Sequence, residues 1–162
     1  MRLFVAVWPS RDVVGALRRL PRLDHPRVRW TTEHQWHVTL RFLGDVDDPE
    51  LVATELDASL AAVAPAVATT ERRSRRFGAS AIGVPVSGLD ALALAVGGQQ
   101  PFRGHLTLAR CRGHVPAAAL ATGVPVLRWA VDEVALVRSH LDRAGARYET
   151  LRALPLTGQG AG

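Results

Sequence analysis

The strongest constraint on this chain is a pattern that occurs twice. His37–Phe42 reads HVTLRF, and His105–Arg110 reads HLTLAR. Successive side chains of a strand point to opposite faces, so His37 and Thr39 share one face while Val38, Leu40 and Phe42 occupy the other. His105 and Thr107 repeat the split, with Leu106 and Leu108 behind them. Each segment reads as a strand with one core face and one polar face. From six His, ten Thr and 21 Leu in 162 residues, roughly 0.05 copies of His-x-Thr-Leu are expected by chance. Two copies ask for a physical reason.

Around these segments the chain alternates strand-like and helix-like stretches. Leu3–Trp8 is a continuous apolar run suited to a central strand. After it, Ser10 is a plausible N-cap for a helix with Val13, Val14, Leu17 and Leu20 at helical spacing. VRWTT and WHVTLRFLG are strand-like, the second stopped by Gly44. Asp47–Ala64 opens with an aspartate before Pro49 and carries an apolar stripe, the clearest helix. Residues 66–77 and 81–88 read as strands, and GLDALALAV as a weaker helix before the second motif. After a short PAAALA segment, 128–139 and 146–156 read as strands. Mixed rather than strictly alternating elements predict an α+β fold and not a doubly wound parallel sheet. Each half is expected to hold about four strands around one motif strand, with no linker to separate domains. Residues 1–156 are therefore read as one domain, and 157–162, TGQGAG, as a disordered tail.

Composition narrows the partners. An apolar content of 48% is enough for a core. All twenty basic residues are Arg and the formal net charge is +5. Genomic base composition accounts for Arg in place of Lys, but the consequence stands: a planar fork of donors suits phosphate oxygens. A basic surface favours nucleotides or RNA. The lone Cys111 excludes an intramolecular disulfide. No apolar run has the length of a signal peptide core or a membrane span, so a cytoplasmic protein is expected.

Two such strands facing one another place two imidazoles and two hydroxyls around a cleft. That set suits acid–base attack at a phosphodiester: a neutral imidazole takes a proton from the nucleophile, and an imidazolium gives one to the leaving oxygen. The threonine hydroxyls donate to the nonbridging oxygens. A lone His on a strand is usually a hydrogen-bonded or surface residue; the repetition is what favours a site. Two His ligands are too few for zinc, no carboxylate has motif-like spacing to either, and His34 falls on the opposite face from His37.

With WHVTLRFLGDV and PFRGHLTLAR in place, the chain resembles the RNA 2′,3′-cyclic phosphodiesterases, or 2′-5′ RNA ligase-like proteins, of the two-histidine phosphoesterase superfamily. RLFVAVWPS looks like the opening strand of that family and VALVRSHLDRAGARYETLRALPL like its closing strands, so the similarity spans about Arg2 to Leu156. The resemblance implies a two-lobed fold with pseudo-twofold symmetry, each lobe bringing one motif to a central cleft. It implies hydrolysis of a terminal 2′,3′-cyclic phosphate to a 2′-phosphate without metal or other cofactor, reversible in principle as 2′-5′ ligation. His37 would protonate the departing 3′ oxygen and His105 would activate water. Thr39 and Thr107 would bind the phosphate, Arg110 would also contact substrate, and Phe42 could lie against a base. The alternatives are a phosphodiesterase for small cyclic nucleotides and a non-catalytic RNA- or nucleotide-binding module. RNA ends or nucleotides are the expected partners of a monomer, with no membrane.

Strand parity complicates two of these assignments. On a straight strand, Arg110 faces away from His105 and Phe42 away from His37, so the strand must end or bulge after Leu108. Parity by itself favours Arg41, on the face of His37. Gly104 stands where the family carries proline, which should loosen the backbone, and Ser80–Pro101 is short and rich in Ala and Gly. The run Arg72–Arg76, RRSRR, is read as a solvated, charge-protected edge strand before an RNA grip. Trp8, Trp30, Trp36 and Trp129 are read as core or lobe-interface residues, His25, His114 and His140 as surface, and Tyr148 as a possible lining of the cleft.

Overall fold

The computed structural model describes residues 1–120 and 122–160. The elements, in chain order, are β1 Arg2–Val7, α1 Arg11–Arg18, β2 Val28–Trp30, β3 Val38–Asp45, α2 Pro49–Leu60, β4 Ala66–Thr70, β5 Arg75–Phe77 and β6 Ala81–Ser87. They continue with α3 Asp90–Ala95, β7 His105–Cys111, α4 Ala117–Leu120, β8 Arg128–Val131, β9 Glu133–Asp142 and β10 Gly145–Pro155. The strands form one sheet in the order β10-β9-β1-β3-β7-β6-β4-β8, with β2 added to β7 and β5 to β6.

That order is palindromic about its centre, where the motif strands β3 and β7 meet through one pair, Val38 opposite Leu106. On either side a motif strand pairs with a strand that precedes it in the chain, β1 with β3 and β6 with β7. Two further strands then close each lobe. The architecture is α+β, as the mixed order of elements predicts, and two-lobed, as the family resemblance implies. The lobes are not the halves of the chain: β4 enters the second lobe, whereas β9 and β10 return to the first.

Local signals explain most elements. Ser10 Oγ accepts from the Val13 N–H at the start of α1, and Val13 and Leu17 are buried. Asp48 Oδ1 accepts from the N–H groups of Glu50 and Leu51, with Pro49 in the first turn of α2, and Ala53, Leu56 and Leu60 face inward. The continuous apolar run of β1 is buried from Leu3 to Val7 because strands cover both its edges and groups pack on both its faces. Leu3, Val5 and Val7 belong to the main core, whereas Phe4 and Ala6 face a small cluster with Ala135, Val137, Trp8 and Tyr148. Burying each large aliphatic side chain contributes about 1.5–3 kcal/mol.

The structure differs from the sequence reading at four places. Residues 128–139, read as one strand, are two, divided at Asp132 and assigned to opposite lobes; the Asp132 carbonyl accepts from Leu156 N–H, one step beyond the last β9–β10 pair. Residues 66–77 likewise split into β4 and β5, because Ser74 turns inward, is buried and donates to the Ala119 carbonyl. Gly104 does not loosen the backbone. Its carbonyl accepts from Val86 N–H at 2.8 Å, and a Cβ there would lie 2.8 Å from the Val86 oxygen. Of the tail, Thr157 and Gly158 bond to the carbonyls of Ala61 and Val63, so the chain is tied down beyond 156. Residues 161 and 162 lie outside the described residues.

Candidate active site

The motif histidines are tethered in the same way. His37 Nδ1 donates to the Gln35 carbonyl at 2.7 Å, and His105 Nδ1 to the Arg103 carbonyl at 2.9 Å. A carbonyl oxygen only accepts, so each Nδ1 carries the hydrogen and each Nε2 is left for chemistry. His37 Nε2 lies 3.1 Å from Thr39 Oγ1, whose hydroxyl donates to it when the ring is neutral. His105 and Thr107 occupy the matching places on β7, both half-buried.

Gln35 holds its end of this arrangement from three directions. Its Nε2 donates to the Ala146 carbonyl at 2.9 Å, its Oε1 accepts from Thr32 N–H, and its own carbonyl orients His37. One residue on, Trp36 is buried and donates from Nε1 to Thr31 Oγ1. The Thr31 hydroxyl is shared between the carbonyls of Thr107 and Leu108, at 2.8 and 2.9 Å. A chain of hydrogen bonds thus ties the residue before His37 to the strand that carries His105.

β-Bulges decide which side chains accompany the histidines. Along β6 and β7, Ile82 opposes Ala109 and Gly83 opposes Thr107, which leaves Leu108 without a partner. The extra residue reverses the alternation: Leu108 and Ala109 are both buried, and Arg110 emerges on the face of His105 and Thr107. The bulge that Arg110 required is present. The same happens on β3, where Val5 opposes Arg41 and Ala6 opposes Thr39, leaving Leu40 over. Phe42 is thereby carried to the face of His37; its ring is 6.4 Å from Phe4, which itself packs on His37. Phe42 remains 79% exposed. Arg41 is carried away. Its Nη1 donates to the Val96 carbonyl at the C-terminal end of α3, beside Gly97, so the residue that straight-strand parity favoured does not join the site.

Aromatic residues that the motifs do not announce enclose both imidazoles. Phe4, Tyr148 and Trp8 surround His37 with ring centroids at 4.9, 5.0 and 5.7 Å, the last two edge-on. Trp8 is held there by a bond from Nε1 to Thr150 Oγ1, so a tryptophan read as core or lobe-interface packs on the Phe4 cluster and also walls the site. Phe77 stacks on His105 at 3.9 Å, with planes 10° apart. Aromatic walls withhold water from a charged ring. Burial pushes the His37 pKa down to about 4, against the opposing bond that Nδ1 donates to the Gln35 carbonyl and with help from His105 and Arg110. Burial also lowers His105, with Arg110 contributing, and raises the Tyr148 phenol, on which Arg110 acts in the other direction. Arg110 is thus close enough to act on all three groups. At neutral pH two neutral imidazoles and one guanidinium line the site, a receptor for an anion.

Among the described residues, no group of three or more His, Cys, Asp or Glu is gathered to hold a metal ion, and no helix is long and apolar enough to cross a membrane. A family model described as LigT-like phosphoesterase matches residues 7–82. A Thermus thermophilus protein named RNA 2′,3′-cyclic phosphodiesterase is 30% identical, with 98% of this chain and 92% of the relative aligned. Among solved structures, TT0787 of Thermus thermophilus superposes with a TM-score of 0.81 at 27% identity, covering 99% of this chain and 100% of its own. Escherichia coli LigT complexed with 3′-AMP superposes with a TM-score of 0.76 at 24% identity, covering 96% and 98%, a likeness of fold.

Proposed function

This chain belongs to the LigT-like phosphoesterase family, and from that premise we propose that it hydrolyses the terminal 2′,3′-cyclic phosphate of RNA to a 2′-phosphate. The observation that carries the proposal is the pair of equivalent imidazoles, each fixed through Nδ1 so that Nε2 is the atom that exchanges protons, at two strands that meet at Val38 and Leu106.

The cyclic phosphate carries one negative charge. It sits against Arg110 with the hydroxyls of Thr39 and Thr107 on its nonbridging oxygens. Its charge raises the proton affinity of the neighbouring imidazoles, which burial depresses. His105 Nε2 takes a proton from water as the water oxygen bonds to phosphorus. The P–O3′ bond breaks, and His37 donates its Nε2 proton to the departing oxygen. Water is consumed, the product is a 2′-phosphate with a free 3′-hydroxyl, and exchange with solvent resets the two imidazoles. Each of these groups is worth about 10²–10⁴ in rate. The guanidinium and hydroxyls offset charge that builds on the phosphoryl oxygens.

RNA ends and nucleotides are the partners this chemistry selects; the relative named for RNA and the fold relative complexed with 3′-AMP support that choice. The site is complete within one chain, which supports a monomer, and an RNA substrate favours work in the cytoplasm. The direct test is an oligoribonucleotide ending in a 2′,3′-cyclic phosphate, incubated in EDTA with wild type, His37→Ala and His105→Ala. Conversion to a 2′-phosphate, slowed by about 10² or more in each variant, is expected. An untouched RNA end with wild type overturns the proposal.

A further inference from the structure

The arginine run ends on β5 and has no part in the mechanism, yet its last residues lie beside the site. β5 pairs with β6 so that Arg75 opposes Gly83 and Phe77 opposes Ala81. β6 in turn sets Gly83 opposite Thr107 and Ala81 opposite Arg110. Residues opposed across a ladder share a face. Arg75, Gly83 and Thr107 therefore form one row on the face of the site, and Phe77, Ala81 and Arg110 form the next. Arg76 points to the other side.

Gly83 is what joins the rows. With no side chain there, the Phe77 ring leans across it onto His105; an added Cβ would lie 3.1 Å from Phe77 Cδ2 and 3.3 Å from His105 Cδ2. Arg75 stands two strands from Thr107, about 9.6 Å at the Cα, and its guanidinium extends the reach. It is exposed and, among the described residues, bridged only to Glu71, Nη2 to Oε2 at 2.9 Å, both side chains facing solvent. Glu71 is anchored at the same rim, its N–H bonded to the carbonyl of Pro85, which opposes His105. An exposed pair of this kind contributes little, so it yields readily to a stronger anion.

We propose that Arg75, on the cleft-facing side of β5, is an RNA subsite that binds the backbone phosphate next to the terminal cyclic phosphate, with the Glu71 carboxylate as its resting counter-ion. The inference rests on the proposed function and adds a strand-binding element to it. It also divides the arginine run: Arg75 faces substrate, whereas Arg76 remains part of the solvated edge.

The test compares two substrates, an oligoribonucleotide ending in a 2′,3′-cyclic phosphate and a nucleoside 2′,3′-cyclic phosphate that has no second phosphate. Arg75→Gln is expected to raise KM for the oligomer several-fold and to flatten the salt dependence of log kcat/KM by about 0.7 per decade, one phosphate contact on a single strand. Turnover of the nucleoside cyclic phosphate should match wild type. Glu71→Gln should lower KM for the oligomer, and Arg76→Gln should leave both substrates unchanged. Equal effects of Arg75→Gln on the two substrates, no effect on either, or the same effect from Arg76→Gln overturn the subsite. Wild type inactive on both substrates overturns the phosphodiesterase reading, and the subsite with it.

Discussion

Phe77 lies flat on the imidazole of His105, with centroids 3.9 Å apart and planes 10° from parallel. The ring shields one face of a histidine whose Nδ1 is already fixed by Arg103. It therefore sets both the orientation of the imidazole and its access to water. Phe77→Leu is expected to lower kcat several-fold with little change in KM for a nucleoside 2′,3′-cyclic phosphate. It should also move the His105 inflection of the pH–rate profile upward, toward the ordinary histidine range, because solvation favours the charged ring. A loss of rate with an unmoved inflection would make Phe77 a packing residue only.

The two imidazoles must be in opposite protonation states for one to give and one to take a proton. In the free enzyme the His37 pKa is pushed down to about 4, and His105 is lowered as well. The profile of kcat/KM against pH should be a bell whose maximum lies on the acid side of neutrality. Its alkaline limb falls as the higher-titrating imidazole loses its proton. The profile of kcat should lie at higher pH, since the bound anion favours imidazolium. A value of kcat/KM that climbs steadily through pH 7 to 9 would count against the histidine pair.

The same depression couples pH to folding. An unfolded chain holds the His37 proton up to about pH 6.5, whereas the folded chain gives it up near pH 4. Between those values the unfolded state binds more protons. Stability is therefore intact above the unfolded value and is lost as pH falls toward 4, by an amount on the order of 3 kcal/mol at most. Denaturant unfolding at pH 7.5, 5.5 and 4.5 should show that decline. His37→Asn, which cannot titrate, should flatten it, and an equal decline in the variant would assign the effect to other groups.

Arg41 and Arg110 exchange the places that straight strands would assign to them. Arg110→Gln should lower kcat/KM by about 10²–10³, as for loss of a charged donor to a phosphoryl oxygen. Arg41→Gln should change kcat/KM by less than about twofold while lowering stability by about 1 kcal/mol, since its cation bonds the Val96 carbonyl at the end of α3. Measuring both variants by steady-state kinetics and thermal unfolding separates the two. The opposite ranking would return Arg41 to the site.

The sequence by itself determined the units: the motif strands, the caps of α1 and α2, and the segregation of His37 and Thr39 from Val38 and Leu40. These depend on side-chain alternation and on bonds between residues a few positions apart, which every copy of such a segment expresses locally. The tertiary structure decided everything that depends on a partner strand. The bulges at Leu40 and Leu108 arise in pairing with β1 and β6, and they select Phe42 and Arg110 and remove Arg41. The assignment of β8 and β9 to opposite lobes follows from the same long-range competition. So does the aromatic enclosure of His37, which needs Phe4 and Trp8 from the start of the chain and Tyr148 from near its end. A motif names the reacting groups, but their proton affinities are set by what folding brings around them, and that neighbourhood has no signature in the motif itself.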